Sequence, residues 1–456
     1  MSIKIFKHDE SDRAINLKLF VMCSIAVFFF LLINNERDMF GDAYDYLLAS
    51  SQFNYESFSL KGFTISYRGY LLPLIYYIIG VISFQNADIF FILLWIAKSI
   101  SFSFLIVYLI PSLIEVKYKK SVVVCILYAA ICCFFFRGLL VYTLSDMFAL
   151  VVTLSSVWFY LKSIESQKNS LLLCFCAGMC MTMAYYVRPI YLSTYVVLII
   201  FSTIRSVKNK KIDILFMLLA SIIVAVPQII INKASFCTYS PLIQTQIQFG
   251  ESLYLQQLFW GVGMQRYETN FNLDIFPEYR VVFKDFIGEK LLEQDGITSF
   301  TSYLDYIKFV ISHFFDVCIM YIRHLFNGLD IVYTNVYIKN LYGCRFFVQL
   351  INYVLMFFGC SELLKQYKKV KFNSTLLIKI LALGLPILLV LPTAVECRYF
   401  TLLSCVIYYF AVNSIVCKIK EHERITFVGV VKLCITLVLC FLINSGTFES
   451  LGIPLW

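Results

Sequence analysis

Residues Leu17 to Asn34 read LKLFVMCSIAVFFFLLIN, and seven residues later comes Gly41-Asp42-Ala43-Tyr44-Asp45. The first stretch is apolar for almost its whole length, which is the length a helix needs to cross a bilayer. A basic flank precedes it (Lys4, Lys7, Arg13, Lys18), which predicts a cytoplasmic N-terminus. Asp42 and Asp45 then fall just beyond the first crossing, at the lipid boundary on the extracytoplasmic side. A carboxylate there is placed to act as a base on a substrate arriving through the membrane plane. A solvated acidic loop is the competing reading of the same five residues.

Working outward, the whole chain repeats this character. Of its 456 residues 60% are hydrophobic and only 15% charged, with a mean hydropathy of +0.79. That excludes a soluble domain and predicts an all-α, polytopic transmembrane helical bundle. No cleavable signal peptide is expected, because the first apolar run is too long for one and no small-residue cleavage site follows it. The net charge of +9 predicts no nucleic-acid partner, since the lysines and arginines gather in short loops. Most of the 16 cysteines lie inside apolar runs without a CxxC pair, and histidines number four, so neither a zinc nor a redox centre is indicated.

About eleven spans are predicted, near 17–34, 89–112, 121–136, 139–161, 170–187, 190–206, 213–232, 345–362, 374–392, 398–417 and 426–444. The clusters at Lys117–Lys120, Lys162/Lys168, Arg205–Lys211, Lys365–Lys371 and Lys418–Arg424 then share the side of the N-terminus. Five repeats of the positive-inside pattern support that register. Residues 69–84 and 303–326 do not fit as spans in it; each is expected as an interfacial helix, a re-entrant one being the alternative for the first and a span for the second. The division that follows is a membrane module over 1–232 with a first outer loop at 35–88, an extracytoplasmic loop with its interfacial helix over 233–344, and C-terminal spans over 345–456. The 233–302 stretch is the longest polar one, of a length usually reserved for function, and no separate core is evident in it.

Several charged residues would share one depth at the extracytoplasmic helix ends. These are Arg68 before the 69–84 helix, Arg137 after the third span, Asp146 at the start of the fourth, Arg188 between the fifth and sixth, and Glu396 with Arg398 and Tyr399 between the ninth and tenth. Each alone is explained by snorkelling, capping or a local ion pair. Together they offer carboxylates and arginines on one face, and the planar guanidinium suits phosphate.

With these residues the chain resembles the C-type (GT-C) membrane glycosyltransferases, which take sugars from polyprenyl-phosphate donors on the extracytoplasmic face. The matching features are the Asp42–Asp45 tract, the Tyr67-Arg68-Gly69 segment with Leu72-Pro73-Leu74, Asp146, and Arg188-Pro189 with Glu396-Cys397-Arg398-Tyr399-Phe400. The resemblance implies an inverting hexosyltransferase, and the Ile-, Phe-, Tyr- and Lys-rich composition suggests a bacterial inner membrane. The enzyme would modify an envelope glycan or lipid acceptor of the lipopolysaccharide or O-antigen kind. Asp42 is then the base, with Asp45 able to replace it, and Arg68, Arg188 and Arg398 meet the donor phosphate. In some members the second acidic position, here Asp146, helps hold a divalent cation (magnesium or manganese), and no further ligands for one stand out. An O-antigen polymerase and a lipid-linked glycan flippase are the alternatives; a flippase should carry charges at mid-membrane, where Lys98 is the main one found.

Overall fold

A computed structural model describes residues 10–114, 121–166, 168–209, 212–270, 280–338, 345–368, 370–422 and 426–452. Lys4, Lys7, Lys117, Lys119, Lys120, Lys210, Lys211, Lys369 and Arg424, all used to set the register, lie outside the described residues.

The protein is mainly all-α. Among the described residues nine helices are long and apolar enough to cross a membrane: Ile15–Asn34, Ala87–Leu113, Asp146–Glu165, Ser170–Val187, Pro189–Lys208, Asp213–Phe236, Arg345–Tyr367, Cys397–Lys420 and Phe427–Glu449. The other two of the eleven expected spans are present as shorter apolar helices, Val122–Phe135 and Ser374–Val390. At 14 and 17 residues they fall below a full crossing. The expected 139–161 span is corrected as well. A five-residue helix, Arg137–Val141, and a non-helical turn precede it, and the span itself starts at Asp146.

The chain reverses at each step, so its turns collect at two ends of the bundle. One end carries Lys162, Lys168, Arg205, Lys208, Lys365, Lys368, Lys418 and Lys420. It is stapled there by Arg205, which donates to the Ser163 carbonyl at 2.7 Å and pairs with Asp213 at 3.3 Å. The opposite end carries residues 35–86, the described residues of 237–270 and 280–338, and every acidic site residue predicted from the sequence.

At that second end the 69–84 segment is a helix as expected, and two other expectations are corrected. Leu71–Ile82 is a 12-residue helix with one face packed in the core through Leu72, Tyr76 and Tyr77, and the other face exposed through Ile78, Val81 and Ile82. The 303–326 helix is two helices, Tyr303–Ser312 and Phe314–Leu329, bent by 104°. The break falls where His313 leaves helical dihedrals and its ring pairs with Asp295 at 2.9 Å. The polar 233–302 stretch does contribute a core of its own: Leu255, Leu258, Val262, Leu291, Leu292 and Phe300 cluster with Tyr306, Phe309, Val317 and Met320.

A small sheet, unforeseen in the sequence, ties this end together. Its strands are β1 (Met264–Asn270), β2 (Arg280–Lys284), β3 (Tyr337–Ile338) and β4 (Leu451–Gly452), in the order β3-β1-β2-β4. β1 pairs antiparallel with β2 and parallel with β3, and β2 pairs antiparallel with β4. Strands this short carry little periodicity, and β4 arrives from the far end of the chain, so local sequence could not announce it.

Candidate functional site

The site starts with the Gly41–Ser51 helix, whose entry is clamped by the sheet. The Tyr337 hydroxyl, from β3, donates to the Phe40 carbonyl at 2.5 Å and accepts from the Ala43 amide at 3.2 Å. Asp42, Asp45 and Tyr46 stand at i, i+3 and i+4, so they share one helix face. Arg68 crosses that face. It reaches Asp42 at 2.7 Å and Asp45 at 3.3 Å, and its guanidinium lies 4.4 Å from the Tyr46 ring centroid. Gly69 makes this approach possible, because a Cβ there would sit 2.0 Å from the Tyr186 carbonyl oxygen.

Asp146 is the first residue of its helix, directly after the turn that precedes it. The Thr143 hydroxyl in that turn donates to the Ala43 carbonyl at 2.8 Å, so the two acidic segments are tied directly. Lys98, the deep charge, donates to the carbonyls of Leu140, Val141 and Tyr142, closing the end of the short helix that leads to Asp146. Arg188, at the end of Ser170–Val187, pairs with Asp146 and lies 4.9 Å from the Tyr399 ring centroid. Arg398 joins the parts: it reaches Asp42 at 3.1 Å, Asp146 at 3.8 Å and Glu396 at 2.6 Å.

Eight of the nine residues singled out in the sequence therefore form one cluster, built from five separate parts of the chain. Arg137 does not join it by any described ion pair, and its Nε is buried without a hydrogen-bond partner. Asp146 Oδ2 and Arg68 Nε are also buried without one. Burial raises the proton affinity of Asp42, and the charges of Arg398 and Arg68 override this and hold its carboxyl well below the usual carboxylate range. Glu396 shows the reverse balance: burial pushes it up to about 7 despite Arg398.

Sequence reasoning missed a second network beside the first. Arg266 and Glu268 alternate with Tyr267 along β1, so the two charges share one face and the tyrosine takes the other. Arg266 Nε donates to Glu268 at 2.6 Å, and its Nη1 donates to the Asp330 carbonyl at 2.8 Å. The Asp330 carboxylate accepts from the Tyr353 hydroxyl at 2.8 Å and from Asn444 at 2.6 Å. On the other face the hydroxyls of Tyr267 and Tyr399 are 2.6 Å apart. The charged pair at i, i+2 was visible in the sequence, and only the unforeseen sheet gives it meaning.

Among the described residues no group of three or more His, Cys, Asp or Glu side chains is placed to hold a metal ion. The donor set does not fit a resident cation either, since Asp42, Asp45 and Asp146 each face at least one guanidinium. Such a cluster is chemically suited to an anion that displaces the carboxylates from the arginines. No protein-family model matches this sequence, and no curated protein matches it.

Proposed function

We propose that this protein is a membrane glycosyltransferase that moves a sugar from a polyprenyl-phosphate donor to an envelope glycan or lipid acceptor, with the Asp42 end of the bundle on the extracytoplasmic side of a bacterial inner membrane. The observation that carries the reading is the convergence of Arg68, Arg188 and Arg398 on Asp42 and Asp146 at one end of an apolar bundle. The lysine- and arginine-bearing turns at the opposite end support the orientation.

In this reading Asp42 accepts the acceptor hydroxyl proton as the oxygen attacks the anomeric carbon. The bond from that carbon to the phosphate oxygen breaks, with inversion, and its electrons leave on the phosphate. The donor phosphodiester carries one negative charge and the departing polyprenyl phosphate carries two. Arginines already in place stabilise the charge that develops. The same guanidinium groups that suppress the basicity of Asp42 are drawn to the phosphate, so the base gains strength as the donor seats. Three arginines over a chain of apolar spans suit a lipid that enters sideways at headgroup depth.

The test is donor dependence. Arg398→Lys keeps the charge and loses the two-pronged fork. It should raise the donor concentration needed for half-maximal transfer by about tenfold, one charge-assisted contact being worth on the order of 1.4 kcal/mol. Acceptor dependence should change little. An unchanged donor response, with stability lost instead, would leave Arg398 a structural residue.

A further inference from the structure

The helices Tyr303–Ser312 and Phe314–Leu329 form an elbow bent by 104°, and the bend is braced. The Tyr306 and Tyr321 hydroxyls are hydrogen bonded across it, and Asp295 holds His313 at its corner. Each helix has two apolar faces. One packs on the local core through Tyr306, Phe309, Val317 and Met320. The other is exposed: Leu304, Ile307 and Ile311 at i, i+3 and i+7, then Phe315, Ile319 and Ile322 at i, i+4 and i+7. Asp316 and Arg323 stand about a quarter turn round the helix from Phe315, where Arg323 pairs with Asp285 at 2.8 Å.

We infer that this exposed face rests on phospholipid, in the leaflet at the Asp42 end of the bundle, with both helices lying along the boundary between headgroups and acyl chains. Large apolar side chains gathered on one exposed face mark an interaction surface, and in a multi-pass protein the bilayer supplies the partner. The elbow sits where that boundary must fall. Ser374–Val390 has 17 residues, a rise of about 26 Å against roughly 30 Å of hydrocarbon, so its end stops short of the headgroups. The elbow is fixed to that end. The Leu391 carbonyl lies 2.8 Å from His324 Nδ1, and Tyr254, from the core beneath the elbow, donates to the Leu389 carbonyl at 2.7 Å. Lys308 interrupts the first exposed face, and its stem can lie along lipid while its ammonium meets the phosphates. At its far end the elbow reaches the arginine cluster. Cys397 Sγ donates to the carbonyls of Asn327 and Asp330 at 3.4 and 3.3 Å, and the Phe400 ring packs on Gly328. The segment bearing Arg398 therefore shares the depth of this helix end.

The experiment is photo-crosslinking of the full-length protein in nanodiscs of phosphatidylethanolamine and phosphatidylglycerol. The photoreactive residue p-benzoylphenylalanine is placed at Ile311, Phe315 or Ile322, one at a time, all three being exposed, so that the probe displaces no core. Leu439, exposed on the Phe427–Glu449 span, serves as the lipid-facing reference, and Glu293, exposed on the polar Phe286–Gln294 helix, as the aqueous one. Phospholipid adducts are read from the intact mass after irradiation. Yields at the three elbow positions are expected to approach that at Leu439 and to exceed that at Glu293 by about tenfold or more, the preference of an apolar ring for lipid over water. Yields no higher than at Glu293 would leave the face in water and overturn the lipid seat. Lipid adducts confined to one of the two helices would overturn it for the other. Adducts joining two copies of the chain, in place of lipid, would overturn it in favour of an interface between copies.

Discussion

Two ion networks share one end of this bundle, and they are built in opposite ways. Around Arg266 the charges are sealed: Arg266 is 1% exposed and Asp330 0%, and every guanidinium nitrogen of Arg266 has a partner. Around Asp42 the network is open: the side chains of Asp42 and Asp45 are 39% and 42% exposed, while Asp146 Oδ2 and Arg68 Nε lack hydrogen bonds. A sealed network holds the sheet to the helices. An open one, with unsatisfied buried polar atoms and solvent at its mouth, is arranged to exchange its partners for a ligand's. Both networks pair arginines with carboxylates, so satisfaction and access distinguish them.

The comparison breaks most decisively at Arg266. Arg266→Met strands Glu268 and Asp330 in a dry interior, and removing one partner of a buried pair costs about 3–5 kcal/mol. Thermal unfolding of the solubilised variant should show a large loss of stability, or the protein should fail to accumulate. A variant as stable as wild type would mean the sealed network is not structural. Asp42→Asn should do the opposite: stability is kept while transfer falls by about two to four orders of magnitude, the usual worth of a general base. Asp45→Asn should be milder, because among the described residues Asp45 pairs with Arg68 alone, whereas Asp42 meets both Arg68 and Arg398. Sensitivity at Asp45 with tolerance at Asp42 would exchange their roles.

What the sequence revealed follows the same division. The apolar runs were legible because a bilayer imposes its thickness on every crossing, and all eleven appear as helices, two of them short. The open network was legible because its residues stand near helix ends, where a charge beside an apolar run attracts notice. The sealed network was not. Arg266 and Glu268 lie in a strand of seven residues, and Asn444 lies inside the last apolar helix. Their meeting depends on β2, β3 and β4 pairing around β1 across long stretches of chain, which no local period encodes. Arg137 shows the limit from the other side, since its position at a helix end looked like that of Arg188 and yet it joins no described ion pair.

The smallest effect expected is also the one that probes where the two networks touch. Glu396 faces Arg398 on its own segment, Glu268 and Tyr267 from β1, and Asp146 from its helix. Its carboxyl rises from an ordinary 4.5 to about 7, burial being the main cause and the charge of Glu268 adding to it. The folded protein therefore holds a proton that the unfolded chain releases near 4.5. Stability contributed by that proton is fully present below about 4.5 and is lost as pH rises through about 7. Between pH 5 and pH 8 the melting temperature of the solubilised protein should fall by on the order of 2 °C from this group. Glu396→Gln keeps an oxygen for Arg398 and carries no titrating proton, so its curve should be flatter across that window. At pH 8 the variant should melt no lower than wild type. A variant that keeps the full slope would move the titration to Glu268, the neighbouring carboxylate on β1. A variant that melts well below wild type at pH 8 would show that the Glu396 charge stabilises Arg398 more than burial opposes it.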